Sequence, residues 1–499
     1  MNAILKYRRR RTDEVRIGSV TVGGNNPIAV QSMTNTPTAD TEASVAQTER
    51  IARAGASIVR LTAQGRREAE NLEHIVARLR SDGFDTAIVA DIHFVPEMAM
   101  TAARFVDKVR INPGNFRTSG GEFQSLISLC RQRGAAIRVG VNHGSLAKHI
   151  FDRYGDTPEG MVASAMEFLA ICQAENFHNV VVSMKSSNTR VMVYAYRLLV
   201  KAMSEAGMRY PLHLGVTEAG DGLEARIKSA VGTGALLADG LGDTIRVSLT
   251  EAPENEVPVG ELLVSHFANR KSEITANNAT QISPFTQYVK RSHVAMPLVH
   301  DEIPDNWRII RASSDNPTAE LRSAILDLAT DEPIAVACTY NDADFTTAAI
   351  KAAADLGALF IDGLADGIII DAPQFTDGQR REAELAILQA ARVRMSRTEY
   401  IACPSCGRTL YDIEKALAEI KARTSHLKNL KIGVMGCIVN GPGEMADADY
   451  GYVGAAAGRI TLYRGREIIE KNIPQDEALD RLVALIKADG RWTEPENTR

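Results

Sequence analysis

The sequence is poor in cysteine, has no long apolar run and carries no excess of basic charge. Six cysteines in 499 residues are too few for a disulfide framework, so we expect a reducing, cytoplasmic environment. No apolar run approaches the ~20 residues of a membrane-spanning helix, and the basic N-terminus lacks the apolar segment of a secretory signal. Basic residues number 57 and acidic residues 62, which argues against nucleic acid as a partner. We therefore expect the protein to bind neither a membrane nor a nucleic acid.

The first half of the sequence alternates short apolar runs with amphipathic helical stretches. Eight such repeats predict a parallel sheet closed into a (β/α)8 barrel of the TIM type, within an α/β protein. We assign this barrel to residues 1–260 and expect it to bind the substrate. The eight runs are 27–34, 57–63, 86–94, 106–113, 135–144, 179–187, 211–220 and 243–250.

Polar residues stand toward the C-terminal end of these predicted strands, where barrel enzymes hold their active sites. They are Arg60, Asp91, Arg110, Asn112, Arg138, Asn142, Lys185, Glu218, Arg246 and Ser248. Five are cations, which would repel one another without an anion, and guanidinium groups match phosphate oxygens bidentately. The pattern favours a phosphate or diphosphate substrate over a layer of salt bridges that closes the barrel mouth.

An internal repeat marks the segment after the barrel. Residues 234–245 read GALLADGLGDTI and residues 357–368 read GALFIDGLADGI, with eight of twelve positions identical. We therefore expect residues 261–397 to form a degenerate, partial barrel-like α/β insert. Because the repeat lacks counterparts of Lys185, Glu218 and Arg246, we interpret the insert as a spacer without its own active site. Its open sheet edges should pack against the main barrel, since unpaired backbone groups need partners.

The C-terminal part contains a third kind of signal, a group of cysteines. Cys403 and Cys406 are separated by two residues, Cys437 follows after thirty more, and Glu444 after a further six. A third cysteine indicates a metal or cluster site rather than a redox pair. An iron–sulfur cluster, a zinc ion and a disulfide are all compatible with the cysteines. No fourth cysteine or histidine stands near Cys437, which favours a cluster with Glu444 as a displaceable fourth ligand. We assign an α+β cluster domain to 398–490 and a tail to 491–499, and interpret the other cysteines as structural.

Several motifs together carry a family resemblance. They are AVQSMTNT, VADIHF, RINPGN, GVNHGSL, LGVTEAG, DTIRVSL, ACPSC and GCIVNGPGE. The sequence thereby resembles the (E)-4-hydroxy-3-methylbut-2-enyl diphosphate synthases of the methylerythritol phosphate pathway, in their insert-containing three-domain form. A zinc-stabilised barrel that binds a phosphorylated ligand without redox chemistry remains an alternative, as does a pterin-binding barrel with an attached cluster.

The resemblance implies a reaction and its residues. The reaction is reductive ring opening and dehydration of a cyclic diphosphate, 2-C-methyl-D-erythritol 2,4-cyclodiphosphate, with two electrons from ferredoxin or flavodoxin. It implies a [4Fe–4S] cluster on Cys403, Cys406, Cys437 and Glu444, and a homodimer. Glu218 would donate a proton, Glu444 would act catalytically as well as bind iron, and the other polar residues at the strand ends would bind the substrate.

Overall fold

A computed structural model describes residues 9–92, 95–116, 120–268, 270, 293–328, 332–438 and 441–495. Of the tail expected at 491–499, residues 496–499 lie outside the described part, as do residues 269, 271–292 and 329–331 of the expected insert. No helix in the described part is both long and apolar enough to cross a bilayer.

The strands are β1 Val15–Ile17, β2 Val20–Val22, β3 Ala29–Met33, β4 Ile58–Ala63, β5 Ala87–Ile92, β6 Lys108–Ile111, β7 Ala136–Asn142, β8 Val180–Lys185, β9 His213–Leu214, β10 Thr244–Ile245, β11 Leu298–Val299, β12 Arg308–Arg311, β13 Ile334–Thr339, β14 Gly367–Asp371, β15 Glu399–Ala402, β16 Lys431–Met435, β17 Tyr450–Ala456, β18 Arg459–Arg464 and β19 Glu467–Pro474. The α-helices are α1 Thr41–Arg53, α2 Arg66–Ser81, α3 Pro96–Ala102, α4 Glu122–Arg133, α5 Lys148–Tyr154, α6 Pro158–Ala174, α7 Thr189–Glu205, α8 Gly222–Ala238, α9 Glu256–Ala268, α10 Pro317–Leu326, α11 Phe345–Ile361, α12 Asp377–Ala390, α13 Ile413–Thr424, α14 Gly441–Glu444 and α15 Gln475–Ala488.

The predicted barrel is confirmed. Strands β3 to β10 form one parallel sheet in the order β8-β7-β6-β5-β4-β3-β10-β9, and a parallel bridge between Val182 and Leu212 closes it. Helices lie between successive strands, so every strand ends at the same mouth. The β1–β2 hairpin, which we did not predict, adds Val15, Ile17 and Val22 to a buried apolar cluster with barrel residues of β3 to β8.

The insert is a four-stranded parallel sheet in the order β11-β14-β13-β12, an incomplete relative of the barrel, as expected. The repeated segments pack on each other: a Cβ on Gly234 of α8 would lie 2.6 Å from the Cα of Ala354 in α11. The expectation that an open sheet edge covers the barrel is wrong at β12, where Arg308, Ile309 and Arg311 are exposed. Helices α8 and α11 make the contact instead, through the close approach of small residues.

Buried charges reinforce this contact between insert and barrel. Arg322 of α10 donates to Asp239 at 2.7 Å and to Asp362 at 2.7 Å, and Arg197 of α7 donates to Asp239 at 2.8 Å. The two aspartates occupy equivalent positions in the repeat. The insert is thus fixed to the barrel by paired charges as well as by helix packing.

The C-terminal domain has a five-stranded sheet, β15-β16-β17-β18-β19, covered by α13 and α15. Strands β15 to β17 are parallel and the remaining pairs are antiparallel. This is the α+β arrangement that we expected. The exact domain boundaries at 260, 397 and 490 remain predictions.

Candidate active site

The mouth of the barrel opens into a cavity whose other wall is the C-terminal domain. Nearly all the polar residues predicted at the strand ends line it: Arg60, Asp91, Arg110, Arg138, Asn142, Lys185, Glu218, Arg246 and Ser248. Asn112 is the exception among them. Its amide donates to Ser145 Oγ at 3.0 Å and its carbonyl accepts from the Gly114 amide, so it shapes a turn beside the cavity.

Several cations in this cavity lack strong acceptors for their N–H groups. The Nε and Nη2 atoms of Arg60 lie 3.1 and 2.8 Å from the Met33 thioether sulfur, which is a weak acceptor. Within the described chain, the Nε and Nη1 atoms of Arg138 have no hydrogen-bond partner although the residue is 1% exposed. Buried guanidinium groups in this state favour an anion that accepts their hydrogen bonds.

Two acids neutralise other cations of the group. Asp91 accepts from Arg110 at 3.0 Å, and Glu256, on α9, accepts from Arg246 at 2.9 Å and from Ser32 Oγ at 2.7 Å. Burial and the neighbouring Arg138 hold the pKa of Lys185 well below its ordinary value. Positive charge remains in excess at the mouth, which is the electrostatic setting for an anionic ligand.

The three predicted cysteine ligands and Glu444 line the opposite wall of the same cavity. Because β15 and β16 are parallel neighbours, their C-terminal ends bring Cys403 and Cys437 to one edge of the sheet. The Cys403 amide donates to the Val434 carbonyl at 3.0 Å. Cys406 follows a turn at Ser405, whose φ is 66°, and its amide donates to Thr409 Oγ1 at 3.1 Å.

These donor groups create a strongly anionic, desolvated surface if they ionise. Burial, Cys406 and Glu218 raise the pKa of the Cys403 thiol well above its ordinary value. A metal centre reverses this effect, because a coordinated thiol is deprotonated. Among the described side chains, no three His, Cys, Asp or Glu groups converge as the ligands of one metal ion do. Cys403, Cys406, Cys437 and Glu444 offer thiol and carboxyl groups, the donor types that iron–sulfur clusters and zinc ions take.

Glu218 and Glu444 meet in this cavity across the two domains. Burial and the adjacent Glu444 carboxyl raise the pKa of Glu218 well above its ordinary value, and a hydrogen bond between the two carboxyls acts in the same direction. Glu218 has a positive φ of 48°, and its Oε2 atom has no partner within the described chain. Burial and the neighbouring carboxyl therefore favour the protonated form of the Glu218 side chain.

The contact between the two walls is made within one chain. Asn142 Nδ2 donates to Glu444 Oε1 at 2.8 Å, and Thr250 Oγ1 donates to the Cys403 carbonyl at 3.1 Å. Gly144 lies so close to the C-terminal domain that a Cβ there would stand 1.9 Å from the Gly443 carbonyl oxygen. The structure is consequently a closed form in which the barrel and the cysteines face each other.

Sequence reasoning missed three residues of this region. Glu256 pairs with Arg246, and Arg408 enters the cavity from the C-terminal domain. Lys108, 0% exposed, lies deeper in the barrel, where its ammonium is 3.5 Å from Gln31 Oε1. Only Lys108 had a usable signal, because the two-residue period of β6 places it on the same face as Arg110.

The fold and the cavity define a barrel enzyme that holds an anionic substrate against a thiol-rich cofactor site. Comparison with known proteins identifies the family. Residues 12–261 match the GcpE TIM-barrel domain and residues 399–488 match the GcpE protein C-terminal domain. The chain belongs to the GcpE family.

Similar proteins share this organisation along nearly their whole length. A 4-hydroxy-3-methylbut-2-en-1-yl diphosphate synthase (flavodoxin) of Phocaeicola vulgatus is 44% identical, across 98% of this chain and 100% of the relative. Proteins of the same name from Porphyromonas gingivalis and Leptospira interrogans are 44% and 36% identical, each across 98% of this chain and 99% and 98% of the relative. The first alignment spans 615 positions, so that relative has stretches without a counterpart in these 499 residues.

Proposed function

We propose that this protein is a 4-hydroxy-3-methylbut-2-en-1-yl diphosphate synthase that reductively opens and dehydrates 2-C-methyl-D-erythritol 2,4-cyclodiphosphate. Family membership supports the activity. One observation supports the assignment of the residues. A single cavity has guanidinium groups without strong hydrogen-bond acceptors on one wall and three thiols on the other. Many barrel enzymes have an anion site of this kind. The thiols opposite the anion site are what favour a reduction, because they could hold a redox cofactor.

The barrel residues bind and orient the cyclic diphosphate. Arg60 and Arg138 offer hydrogen-bond donors that lack strong acceptors, so phosphate oxygens can take them without breaking an internal ion pair. Lys185 and Arg246 offer further hydrogen-bond donors around the same space, and Asn142 and Ser248 supply neutral polar groups. These groups would hold the diphosphate at the barrel wall, so that the carbon skeleton would face the cysteines across the cavity.

Cys403, Cys406, Cys437 and Glu444 would hold a [4Fe–4S] cluster. When bound, such a cluster supplies electrons one at a time to a substrate beside it. Glu444 would be the fourth ligand, and a carboxylate would bind iron more weakly than the three thiolates. Asn142 orients this carboxylate, since its amide donates to Glu444. Closure of the two walls excludes water from this space.

Glu218 would supply the proton that the reaction needs. Two electrons and a proton enter as the ring carbon–oxygen bond breaks and the hydroxyl leaves as water. A protonated carboxyl can donate to a departing hydroxyl, and burial beside Glu444 raises the pKa of Glu218 and so favours that form. Lys185 lies near enough to stabilise the carboxylate that remains.

The electron donor and setting follow from the same assignment. The names of the relatives specify flavodoxin, and we propose flavodoxin as the donor here, in a cytoplasmic, reducing compartment. The homodimer implied by the family resemblance remains a prediction.

Anaerobic purification and iron analysis test this function. The protein should be brown, contain about four irons per chain, and convert the cyclodiphosphate when reduced flavodoxin is supplied. Cys437→Ser should lose iron and activity. Cys130→Ser, a change at a buried cysteine of α4, is the matched control and should keep both. Colourless protein with one zinc and no turnover would instead support the zinc-stabilised barrel.

A further inference from the structure

Arg408 belongs to the loop that follows Cys406, yet its side chain enters the mouth of the barrel. The preceding residue presses on the barrel: a Cβ on Gly407 would lie 2.8 Å from the Thr36 carbonyl and 2.8 Å from Thr62 Oγ1. As a result, the Arg408 side chain is only 7% exposed although it stands in a connection between β15 and α13. An arginine is rarely buried in this way unless it is paired.

One carboxylate faces this guanidinium and two others. Arg408 Nη2 lies 3.8 Å from Asp91 Oδ2. Arg110 donates to Asp91 Oδ1 at 3.0 Å, and Arg60 Nε is 4.0 Å from Asp91 Oδ2. The Arg110 contact is within hydrogen-bond distance. Three guanidinium groups from two domains therefore gather around the Asp91 carboxylate.

We propose that Arg408 is the contribution of the C-terminal domain to the diphosphate site, so that the bound anion bridges both domains and stabilises the closed form. This inference rests on the proposed function. Phosphate oxygens would accept hydrogen bonds from Arg408 together with those from Arg60 and Arg138. Because these contacts exist only when the domains are together, the anion binds the closed form more tightly and shifts the equilibrium toward it. Before the anion binds, the Asp91 carboxylate offsets part of the repulsion among the guanidinium groups.

Arg408 also lies near the cysteines, which gives a competing explanation for its burial. Burial lowers its pKa, but Cys406 and Asp91 raise the pKa of Arg408 above its ordinary value. A residue that only offsets the charge of a cluster would affect iron retention and not anion binding. A residue that only forms an ion pair with Asp91 would affect closure with or without an anion. The two effects can be measured separately.

The experiment uses anaerobic, iron-loaded protein and inorganic pyrophosphate as the probe. Calorimetry measures pyrophosphate binding, and hydrogen exchange follows the peptide that covers 399–410. In the wild type, pyrophosphate should slow exchange in this peptide. Arg408→Gln should bind pyrophosphate about tenfold more weakly, as expected for one lost charged hydrogen bond, and the slowing should disappear. Arg408→Lys keeps the positive charge but loses the two parallel N–H donors of the guanidinium group, so its affinity for pyrophosphate should be intermediate.

A control variant removes a different contact between the domains. Arg466 of the C-terminal domain pairs with Asp156 at 2.7 Å, and its side chain is 53% exposed, outside the cavity. Arg466→Gln should keep both the affinity and the slowed exchange. Wild-type affinity and slowed exchange in Arg408→Gln would overturn the inference, and so would loss of iron in both Arg408 variants. If the wild type itself fails to bind pyrophosphate, the diphosphate site of the proposed function fails with it.

Discussion

Gly144 offers a way to block closure of the cavity without changing any polar group in it. The residue has a φ of 85°, and a Cβ placed on it would lie 1.9 Å from the Gly443 carbonyl oxygen and 2.5 Å from the Gly443 carbonyl carbon. Both atoms are backbone, so no side-chain rotation relieves the overlap. Gly144→Ala should therefore separate the barrel from the loop that carries Glu444.

The size of the effect follows from these distances. An ordinary contact begins near 3.4 Å, so the Gly443 carbonyl must move by more than 1 Å. A misplacement of about 1 Å at a catalytic group can reduce turnover about 10²-fold. Alanine at a positive φ also lowers the free energy of unfolding by roughly 1–2 kcal/mol. The control Gly134→Ala shares that strain, since Gly134 has a φ of 68° at the end of α4 with nothing within 4 Å of a Cβ.

Three measurements separate the two causes. Denaturant unfolding should give similar losses of stability for the two variants. Iron content should be largely unchanged in both, because the three atoms nearest to a Cβ on Gly144 belong to Gly443 and none belongs to a cysteine. Turnover with reduced flavodoxin should fall about 10²-fold in Gly144→Ala and little in Gly134→Ala. Equal turnover in the two variants would refute the reasoning, because the observed contact would then be absent from the working enzyme. Loss of iron in Gly144→Ala alone would also contradict it.

Three further predictions concern buried charges. Arg138→Met should weaken pyrophosphate binding by about 1–3 kcal/mol. The denaturation midpoint should stay unchanged or rise, because two unpaired donors are removed from the interior, and a lower midpoint would contradict this. Glu218→Gln should reduce turnover about 10²–10⁴-fold, while calorimetry should show little change in pyrophosphate affinity. Normal turnover at saturating substrate would show that Glu218 only orients neighbouring side chains. Arg322→Met should lower the free energy of unfolding by about 3–5 kcal/mol, since two buried aspartates would then share the single cation Arg197. A loss below about 1 kcal/mol would show that the network adds little.

The barrel and its ligand class could be predicted because the signal was local. Inward-facing residues alternate along a strand, so Arg110 and Arg138 were placed on the cavity side from their own segments. The lengths of the last two strands were overestimated. The run at 211–220 forms only the two-residue strand β9, because Gly215 and Glu218 adopt positive φ values of 153° and 48° and turn the chain into the mouth.

The residues that were missed depend on contacts between distant segments. Arg408 follows Cys406 by two positions, but nothing in that loop states that its side chain reaches Asp91 of the barrel. Glu256 begins a helix, where acids are common for reasons of the helix dipole, so its pairing with Arg246 had no distinctive pattern. The exposed edge of the insert sheet could not be predicted either, because it also depends on contacts between distant segments. The insert contacts the barrel through helices and not through a sheet edge, because the repeat places small residues on both α8 and α11.

The closed cavity is assembled from a single chain, and the insert explains how. Its helices are fixed to the barrel through buried ion pairs, so the chain enters the C-terminal domain from a rigid point beside the mouth. There Glu399, at the start of β15, accepts from Lys228 of the barrel at 2.8 Å and from Arg392 at 3.0 Å. A short connection between fixed points keeps the effective concentration of one domain near the other high. Weak individual contacts, such as the single hydrogen bond from Asn142 to Glu444, are then sufficient for closure and still reversible when the product leaves.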